Sequence, residues 1–446
     1  MKKKRKKILF IENKTGIFYW DKISIYLKKN FEIHWIVQNH IYTPKFGIKH
    51  IIDYPKIENL KKLKKNNKFK KIRSADRGHN HFGQSTDHYH YYYKEIKNII
   101  SNINPSLIIG EATLFHELIA IKISKELNIR YIFPTGTRYP NGRTVFNKYD
   151  TQNIIKNKKK SGYISKFRLN KIFYLILNNQ HLPQHMESYS LLFKLKLLTF
   201  KLFAFFAYLS GEKYNTPSPI KYTELYVRKI YSKFLWKIKS SKNKKNLDQL
   251  LMKKVVLYPL QIQPESNIDV WGYPHSDQVK IIKDLSYKLK KIGYYVAVKT
   301  NPKFKYEINY KSLEKLNNLS NLILIPPDVS MNYLIKYCDA VFSITGTIIL
   351  ESVIKGIKVF TLDNSDFSNH QGITKIKKID EIIPKLKNFK KKKFNKNNKY
   401  GLRMLKKIYR FSFPYAFTLY WPGDSKDNSY SLMAKSIIEI EKRKNF

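Results

Sequence analysis

The pattern that most constrains the fold is an alternation of short apolar strands with longer amphipathic helices, which occurs twice along the chain. The first block contains the strand segments KKILFIE, FEIHWIV, KHIIDY, PSLIIG and RYIFP, with helical segments between most of them. The second block begins with KKVVLYPLQI and continues through YYVAVK, NLILIP, AVFSI and KVFTL. Strands that alternate with helices form parallel sheets covered by helices on both faces. The sequence therefore predicts an α/β protein with two doubly wound, Rossmann-like domains.

The spacing of the two blocks predicts four parts. We expect an N-terminal Rossmann-like domain at 1–150, a mostly helical and basic insertion at 151–250, and a C-terminal Rossmann-like domain at 251–386. The remainder, 387–446, is predicted to be a basic linker followed by helices that return to the N-terminal domain. At 446 residues the chain is long enough for two domains with separate cores.

A formal net charge of +52 indicates anionic partners. Much of this charge is lysine mixed with Asn and Ile, a bias that AT-rich coding DNA also produces. No zinc finger, aromatic RNA-binding signature or basic zipper accompanies it. We therefore predict no nucleic-acid partner, and favour an anionic membrane surface or anionic ligands.

The most apolar segment, SLLFKLKLLTFKLFAFFAYL at 190–209, is interrupted by Lys194, Lys196 and Lys201 and does not qualify as a transmembrane helix. It suits a helix that lies on a membrane surface, and equally an amphipathic core helix with solvated lysines. The apolar run that follows the basic N-terminus ends at Glu12, which predicts a buried strand rather than a secretory signal. One cysteine, Cys338, allows no intramolecular disulfide and fits a reducing compartment. We expect a cytoplasmic protein, peripheral on the inner face of the membrane.

Three polar segments follow strands of the second block, and each has groups suited to a nucleotide. YPLQIQPES supplies amides, AVKTNPK supplies a cation and an amide, and SITGTIILES places small residues at a helix start. Because the carboxyl ends of parallel strands share one edge of a sheet, these segments should converge. The predicted nucleotide-binding residues are Gln261, Gln263, Pro264, Lys299, Asn301, Pro302, Thr345, Gly346, Thr347 and Glu351.

The TGT turn in SITGTIILES is the strongest of these signals. A helix N-terminus has unpaired N–H groups and the positive end of the dipole, so backbone near Gly346 would suit a phosphate. Glu351 lies four residues past Thr347 on the same helix face and could reach a ribose hydroxyl. The alternative is that Thr345 or Thr347 only caps the helix while Gly346 eases the turn.

Two carboxylates in the first block are candidate general bases for an acceptor hydroxyl. Glu111 follows the strand SLIIG, although it could instead cap the helix that starts near Thr113. Asp76 lies in a polar segment at 72–95, predicted to be a long loop.

Nearby basic and histidine residues suggest an anion or acceptor site. Arg77 lies in that polar segment, and Arg138 and Arg143 suit bidentate binding of a carboxylate or phosphate. Four histidines at 79–90 have metal-like spacings, but no cysteine accompanies them. We predict no metal there and favour an acceptor-binding or catalytic loop.

The ordered set PLQIQPE, VKTNP and SITGTIILESVIKGIKVFTL resembles the bacterial capsule polysaccharide biosynthesis proteins, a group of GT-B glycosyltransferases that includes β-Kdo transferases. That family typically has a Gln-Pro element, a Lys-x-His-Pro element and a Ser/Thr-rich turn with a helical Glu. Ser74, Asp76 and Arg77 loosely match a further element. The sequence departs from the family at Asn301, which replaces His, and at Lys358, where Pro is frequent. The first departure puts a CMP-sugar donor in doubt.

The resemblance implies a GT-B fold, with two domains facing a cleft, and a metal-independent glycosyltransferase without a cofactor. A nucleotide-sugar donor would bind the C-terminal domain. A polysaccharide or lipid-linked acceptor, of capsule or lipopolysaccharide type, would bind the N-terminal one. Two alternatives remain: a transferase of polyol phosphate from a CDP-linked donor, as in teichoic-acid synthesis, and a non-catalytic polysaccharide-binding or export protein.

Overall fold

The chain forms two compact units. The first unit comprises Met1–Tyr163, Leu182–Lys221 and Ile408–Phe446, and the second comprises Ile164–His181 and Tyr222–Lys407. The segment 151–250 thus contributes to both. The computed structural model describes residues 5–13, 16–61, 67–157, 162–180, 205–206, 208–209, 212–301, 303, 307–362, 365–387, 398–417 and 427–443.

The first unit contains a six-stranded sheet in the order β3-β2-β1-β4-β5-β6. All neighbours in it are parallel except β5 and β6. In chain order its elements are β1 (Lys6–Ile11), α1 (Gly16–Leu27), β2 (Phe31–Val37), β3 (Ile48–Ile51), α2 (Lys70–Ala75), α3 (Arg77–Phe82), α4 (Tyr89–Ile103), β4 (Leu107–Gly110), α5 (Phe115–Glu126), β5 (Tyr131–Gly136) and β6 (Thr144–Lys148).

The second unit contains a six-stranded sheet, entirely parallel, in the order β12-β11-β10-β7-β8-β9. Its elements are α6 (Lys166–Leu177), α7 (Pro219–Ser241, which begins in the first unit), α8 (Leu247–Leu251), β7 (Val255–Pro259), α9 (Ser266–Asp269), α10 (Gln278–Lys290), β8 (Tyr295–Lys299), α11 (Tyr310–Asn317), β9 (Leu322–Ile325), α12 (Met331–Tyr337), β10 (Ala340–Ser343), α13 (Thr347–Ile354), β11 (Lys358–Thr361), β12 (Ile373–Lys375) and α14 (Ile382–Lys387). Helix α15 (Lys399–Phe411) and helix α16 (Asp427–Glu441) follow.

Both sheets have the strand order of a Rossmann fold, 3-2-1-4-5-6 when each sheet is numbered from its own first strand. The predicted α/β class, with two doubly wound Rossmann-like domains, is confirmed. In such sheets the strand order reverses at a switch point, which lies between β1 and β4 in the first unit and between β7 and β10 in the second. Ligands of open α/β sheets bind at the carboxyl ends of the strands beside this point.

Each sheet is buried on both faces, which explains why its strands are continuous apolar runs. In the first unit Phe10 of β1 stacks on Trp35 of β2, with ring centroids 4.5 Å apart. Helix α16 adds Met433 and Ile437 to the same core, which places the last described helix against α1. The N-terminal apolar run is therefore a buried strand, as predicted.

The polar segment 72–95 differs from the predicted loop, because it contains α2, α3 and the start of α4. The Asp76 carboxylate caps α3 by accepting a hydrogen bond from Gly78 N at 2.8 Å. Helices of six residues are too short to give a periodic apolar pattern, so α2 and α3 could not be predicted from the sequence.

Two other predicted segments lie largely outside the described residues. Of the segment 190–209, the structure describes only Phe205, Phe206, Tyr208 and Leu209. Of the basic linker that begins the predicted part 387–446, the lysine-rich run at 387–399, it describes only the ends. Within the described parts of the chain, no helix is long and apolar enough to cross a membrane.

Candidate functional site

The switch point of the second sheet joins two of the predicted nucleotide-binding segments. Gln261 follows β7 and Thr345 follows β10, and Gln261 Nε2 donates to Thr345 Oγ1 at 2.7 Å. Thr345 is fully buried, and its hydroxyl donates in turn to the Asn267 carbonyl at 2.6 Å. The Thr345 hydroxyl therefore holds the loop after β7 against the strand β10.

The corner between β10 and α13 depends on Gly346. Its φ of 99° lies in a region that residues with a Cβ rarely adopt, and an added Cβ would come within 2.7 Å of Gln261 Nε2. Gly346 is also the N-cap of α13, so no side chain at the cap accepts a hydrogen bond from the first turn. The hydroxyl of Thr345 is used elsewhere, and the helix start keeps its positive character.

Thr347 and Glu351 lie one turn apart on α13, and both are partly exposed. Glu351 is close enough to Lys355 to favour its charged form, although burial has the larger effect and lowers the pKa of Lys355. Gln261 Oε1 is buried and has no hydrogen-bond partner among the described residues. This edge thus combines a helix N-terminus, a carboxylate and a buried carbonyl oxygen.

Gln263 supports the loop after β7 from within. Its Nε2 donates to Asp269 Oδ1 at 2.7 Å, and its Oε1 accepts from Gln278 Nε2 at 2.9 Å. Pro264 follows it and is half-buried. Gln263 is therefore held by α9 and α10, while Gln261 reaches towards the switch point.

Lys299 at the end of β8 is buried, with 4% of its surface exposed. Its ammonium donates to the Pro327 carbonyl at 2.7 Å, and burial lowers its pKa to about 8. Asn301 Oδ1 accepts from Lys303 N at 3.0 Å, and Pro302 lies outside the described residues. The ammonium group of Lys299 adds positive charge at the carboxyl end of β8, and its hydrogen bond to Pro327 connects it to the loop after β9.

The switch point of the first sheet brings together carboxylates that are distant in sequence. Ile11 pairs with Gly110 in the register of β1 and β4, so Glu12 and Glu111 are the next residues on adjacent strands. Glu12 is buried and packs against the first turn of α1, because a Cβ on Gly16 would lie 2.5 Å from its carboxyl carbon. Glu111 is only half-buried.

Glu117 completes this carboxylate cluster (Glu12, Glu111 and Glu117) and performs the capping role considered for Glu111. It accepts hydrogen bonds from Thr113 N at 2.7 Å and Leu114 N at 2.8 Å, at the start of α5. The Thr113 hydroxyl lies 3.4 Å from Glu111 Oε2. The Glu111 side chain is therefore not required to cap α5.

The charges within the carboxylate cluster are unequal. Burial raises the pKa of Glu12 well above its usual range, and the nearby Glu111 and Glu117 raise it further. Burial and the Glu111 charge raise the pKa of Glu117 to about 8. Glu117 is therefore mostly protonated near neutral pH, and burial disfavours the charged form of Glu12 as well. Glu111 is the half-exposed member of the cluster.

Glu12 and Gln38 were not predicted as site residues. Gln38 follows β2, is 4% exposed, and its Nε2 has no hydrogen-bond partner within the described chain. Asn13 links the two strand ends, since its Oδ1 accepts from Gln38 N at 3.1 Å. The signal that identifies them is the position of each polar residue directly after a buried strand.

Both carboxylate oxygens of Asp76 accept hydrogen bonds. In addition to its bond from Gly78 N, it accepts from the Tyr89 hydroxyl at 2.7 Å, and only 1% of its surface is exposed. Burial raises the pKa of Asp76. Arg77, the next residue, is half-buried and close enough to Glu117 to lower the pKa of that carboxyl. Arg77 is thus near the carboxylate cluster, whereas Asp76 is enclosed by α3 and α4.

The histidines of 79–90 do not converge. His88 is buried and stacks on Tyr214 with ring centroids 3.6 Å apart, and burial lowers its pKa to about 3. His79 and His90 are exposed. In the parts of the chain that the structure describes, no group of three or more His, Cys, Asp or Glu is arranged to hold a metal ion.

The two predicted anion-binding arginines beside β5 and β6 differ. Arg138 is half-buried in the loop between these strands. Arg143 is 8% exposed, and its guanidinium donates to Ser412 Oγ at 2.6 Å and to the Ser412 carbonyl at 2.8 Å. It also stacks over the Tyr409 ring at 4.4 Å. Arg143 thus connects β6 to the end of α15.

The sequence model of the capsule polysaccharide biosynthesis protein family matches residues 148–411, which is more than half of the chain. The chain belongs to this family. The capsule-family match includes the whole second sheet and the corner at Gly346, and it confirms the resemblance found in the motifs. Among curated protein sequences, none matches the chain significantly.

Solved structures with similar folds share little sequence with this capsule-family chain. The β-Kdo 2,7 transferase KpsC of Thermosulfurimonas dismutans is 8% identical, with 98% of this chain and 100% of that chain covered and a TM-score of 0.36. The UDP-GlcNAc 2-epimerase of Methanocaldococcus jannaschii, in complex with UDP-GlcNAc and UDP, is 12% identical over 90% of this chain and 98% of that one, with a TM-score of 0.28. MnaA of S. aureus with UDP is 10% identical over 98% and 96%, with a TM-score of 0.29. The fold class follows from the order and direction of the strands in the two sheets.

Proposed function

We propose that this capsule-family protein is a glycosyltransferase that transfers a sugar from a nucleotide-sugar donor to a bacterial surface polysaccharide or its lipid-linked precursor. The observation that carries the proposal is the corner at Gly346. It presents an uncapped helix N-terminus at a Rossmann switch point, within the segment that matches the capsule family. Helix N-termini of this kind bind phosphate.

The donor's nucleotide would lie on the second unit. Its phosphates would accept hydrogen bonds from the first turn of α13, and Glu351 would bind a ribose hydroxyl one turn further on. Gln261 Oε1, which lacks a partner among the described residues, supplies an acceptor for a hydroxyl or amino group of the nucleotide. Lys299 adds positive charge nearby.

The acceptor would lie on the first unit, where Glu111 acts as general base. It takes the proton from an acceptor hydroxyl, whose oxygen then forms a bond to the anomeric carbon of the sugar. The bond from that carbon to the phosphate oxygen breaks, and the nucleotide leaves with the electron pair. Burial disfavours the charged forms of Glu12 and Glu117, which leaves Glu111 as the accessible carboxylate of the cluster, and the helix dipole of α13 would stabilise the departing phosphate. The charge stabilisation that these groups supply supports a metal-independent reaction.

Release of free nucleotide from a panel of nucleotide sugars, in the presence of capsule oligosaccharides and a chelator, tests this proposal. Nucleotide release that requires the acceptor supports an enzyme, and its absence across the panel would favour a non-catalytic binding protein. The mass added to the acceptor distinguishes a sugar from a polyol phosphate. We also propose a peripheral location on the cytoplasmic face of the membrane, in line with the net charge of +52.

A further inference from the structure

Helix α7 carries large apolar side chains on two opposite faces. Its inner face buries Leu225 and Trp236, and Trp236 Nε1 donates to the Ile325 carbonyl at 3.0 Å. Its outer face exposes Ile220 (85%), Val227 (60%), Tyr231 (49%), Phe234 (58%) and Ile238 (51%).

These five residues form one stripe, which we call the outer stripe of α7. They are separated by seven, four, three and four residues. At 3.6 residues per turn, this spacing confines them to an arc of roughly 60° on the helix surface. Leu225 and Trp236 point the opposite way, so the inner packing of α7 leaves the outer stripe in contact with water.

Cations flank the outer stripe on both sides. The segment 219–241 contains six basic residues and one acidic residue, Glu224. By the same helical geometry, Lys221, Arg228 and Lys239 lie along one side of the stripe, with Glu224 between them and the stripe, and Lys237 lies along the other side. Long basic side chains beside an apolar stripe can bury their methylene groups while their charges reach phosphate headgroups.

We propose that the outer stripe of α7 docks on an anionic lipid bilayer, with its apolar side chains among the headgroups and its flanking cations on lipid phosphates. A second copy of the chain would bring like charges together along both sides of the helix, which opposes dimerisation through this face. A soluble polyanion would neutralise the cations and leave the outer stripe in water. The inference rests on the proposed membrane location and is independent of the donor.

Flotation of the full chain with vesicles tests this docking. Wild-type protein should float with vesicles of phosphatidylglycerol and phosphatidylcholine, and only weakly with phosphatidylcholine alone. The variant Val227→Ser/Tyr231→Ser/Phe234→Ser/Ile238→Ser should lose at least tenfold in partition, since interfacial binding scales with buried apolar area. The matched control is Met252→Ser/Tyr287→Ser, which removes residues that are 86% and 63% exposed elsewhere on the second unit, and it should bind as wild type.

A second set of variants tests the flanking charges and does not alter the outer stripe. Lys221→Gln, Arg228→Gln and Lys237→Gln should each weaken partition about fivefold, the effect expected of one basic residue near an anionic surface. Lys280→Gln, Lys290→Gln and Lys291→Gln, three exposed lysines in and just after α10, are the control and should have a smaller effect.

Three results would overturn the docking surface. They are full binding by the four-residue Ser variant, complete release of wild type by moderate salt, and a concentration-dependent dimer that the Ser variant abolishes without vesicles. The Ser variant should retain turnover on a short water-soluble acceptor. If wild type floats but transfers no sugar, the docking surface stands and the proposed function fails.

Discussion

At the scale of the residue, the three members of the carboxylate cluster differ in exposure. Glu12 and Glu117 are 4% and 1% exposed, whereas Glu111 is half-buried. A carboxylate that must accept a proton from a substrate needs access to it, and within the cluster Glu111 is the accessible member, which supports the proposal that it is the base. Asp76 is enclosed, which suits the cap of α3 better than a base.

Glu111→Gln preserves shape and removes basicity, so turnover should fall on the order of 10²-fold or more while nucleotide affinity is unchanged. The matched control is Asp76→Asn, which should lower the free energy of unfolding by about 1 kcal/mol as a weakened helix cap and keep its turnover. Steady-state kinetics and urea denaturation of both variants give the answer. Full turnover of Glu111→Gln would remove it from the mechanism.

The protonation of Glu117 predicts how stability depends on pH. The folded protein holds this proton up to about pH 8, whereas an ordinary glutamate loses it near 4.5. Between these values the folded state binds more protons, so the free energy of unfolding falls as pH rises, by up to about 1.4 kcal/mol per unit for one group. His88 has the opposite effect, because its pKa is lowered from 6.5 to about 3 and stability is lost as pH falls through that range.

From about pH 7 upward His88 is largely neutral in both states, so its contribution to the pH dependence becomes small between pH 7 and 8. Urea denaturation there should show stability decreasing with pH in wild type, and less steeply in Glu117→Gln. Identical slopes in the two proteins would mean that Glu117 is ionised in the folded state.

At the scale of the element, the start of α13 and the end of α15 differ in whether a side chain binds the helix end. The corner at Gly346 leaves a helix start without a side-chain cap. Arg143, in contrast, uses its guanidinium on the last turn of α15 and on Ser412. The first arrangement is suited to a ligand, and the second holds two elements of one unit together.

Gly346→Ala should lower the free energy of unfolding by about 1–3 kcal/mol, because the backbone at φ 99° is strained for any residue with a Cβ. The added methyl group would also displace Gln261. Ala is chosen because a larger residue such as Val would also obstruct the nucleotide, and a loss of stability could then not be separated from a loss of nucleotide affinity. Thr347→Ala changes neither φ nor the Gln261 contact and should weaken nucleotide affinity with little loss of stability. Thermal and calorimetric data on both variants check these outcomes, and a Gly346→Ala protein as stable as wild type would contradict the strained corner.

Arg143→Lys should lower the free energy of unfolding by about 1.5–3 kcal/mol, since an ammonium cannot reproduce the forked hydrogen bonds to Ser412. Nucleotide and acceptor affinities should not change in the folded variant. Unchanged stability with lost affinity would instead support the anion-binding role predicted from sequence. Arg138→Lys, a half-buried neighbour in the same loop, is the matched control for stability.

The sequence predicted the elements whose signals are local, and missed those that depend on neighbouring strands. The predicted strands are apolar runs between polar turns. The two missed strands, β6 (TVFNK) and β12 (ITK), lie at the sheet edges and contain polar residues, so they lack a continuous apolar signal. Gln261 and Thr345 were predicted to converge because their segments end strands of one block. Glu12 was missed because its proximity to Glu111 depends on the order β2-β1-β4, which no local pattern encodes.

At the scale of the whole molecule, each unit has polar groups at the switch point of its own sheet. The chain as a whole has a net charge of +52. In the proposed reaction, the helix N-terminus of the second unit would bind the phosphate, and the carboxylate of Glu111 in the first unit would accept the proton of the hydroxyl. A glycosyl transfer needs both, because one group must leave with negative charge and another must lose a proton.

Titration of wild type and Glu351→Gln with CMP, CDP, UDP and GDP tests the central claim most directly. One nucleotide should bind wild type and raise its melting temperature, with about 2.7 kcal/mol of stabilisation at a concentration of 100 Kd. Glu351→Gln should bind that nucleotide about 1–3 kcal/mol more weakly, the range for a hydrogen bond to a charged group, while Glu111→Gln binds it as wild type does. Absence of binding by all four nucleotides, or equal affinity in wild type and Glu351→Gln, would contradict a nucleotide site at the start of α13.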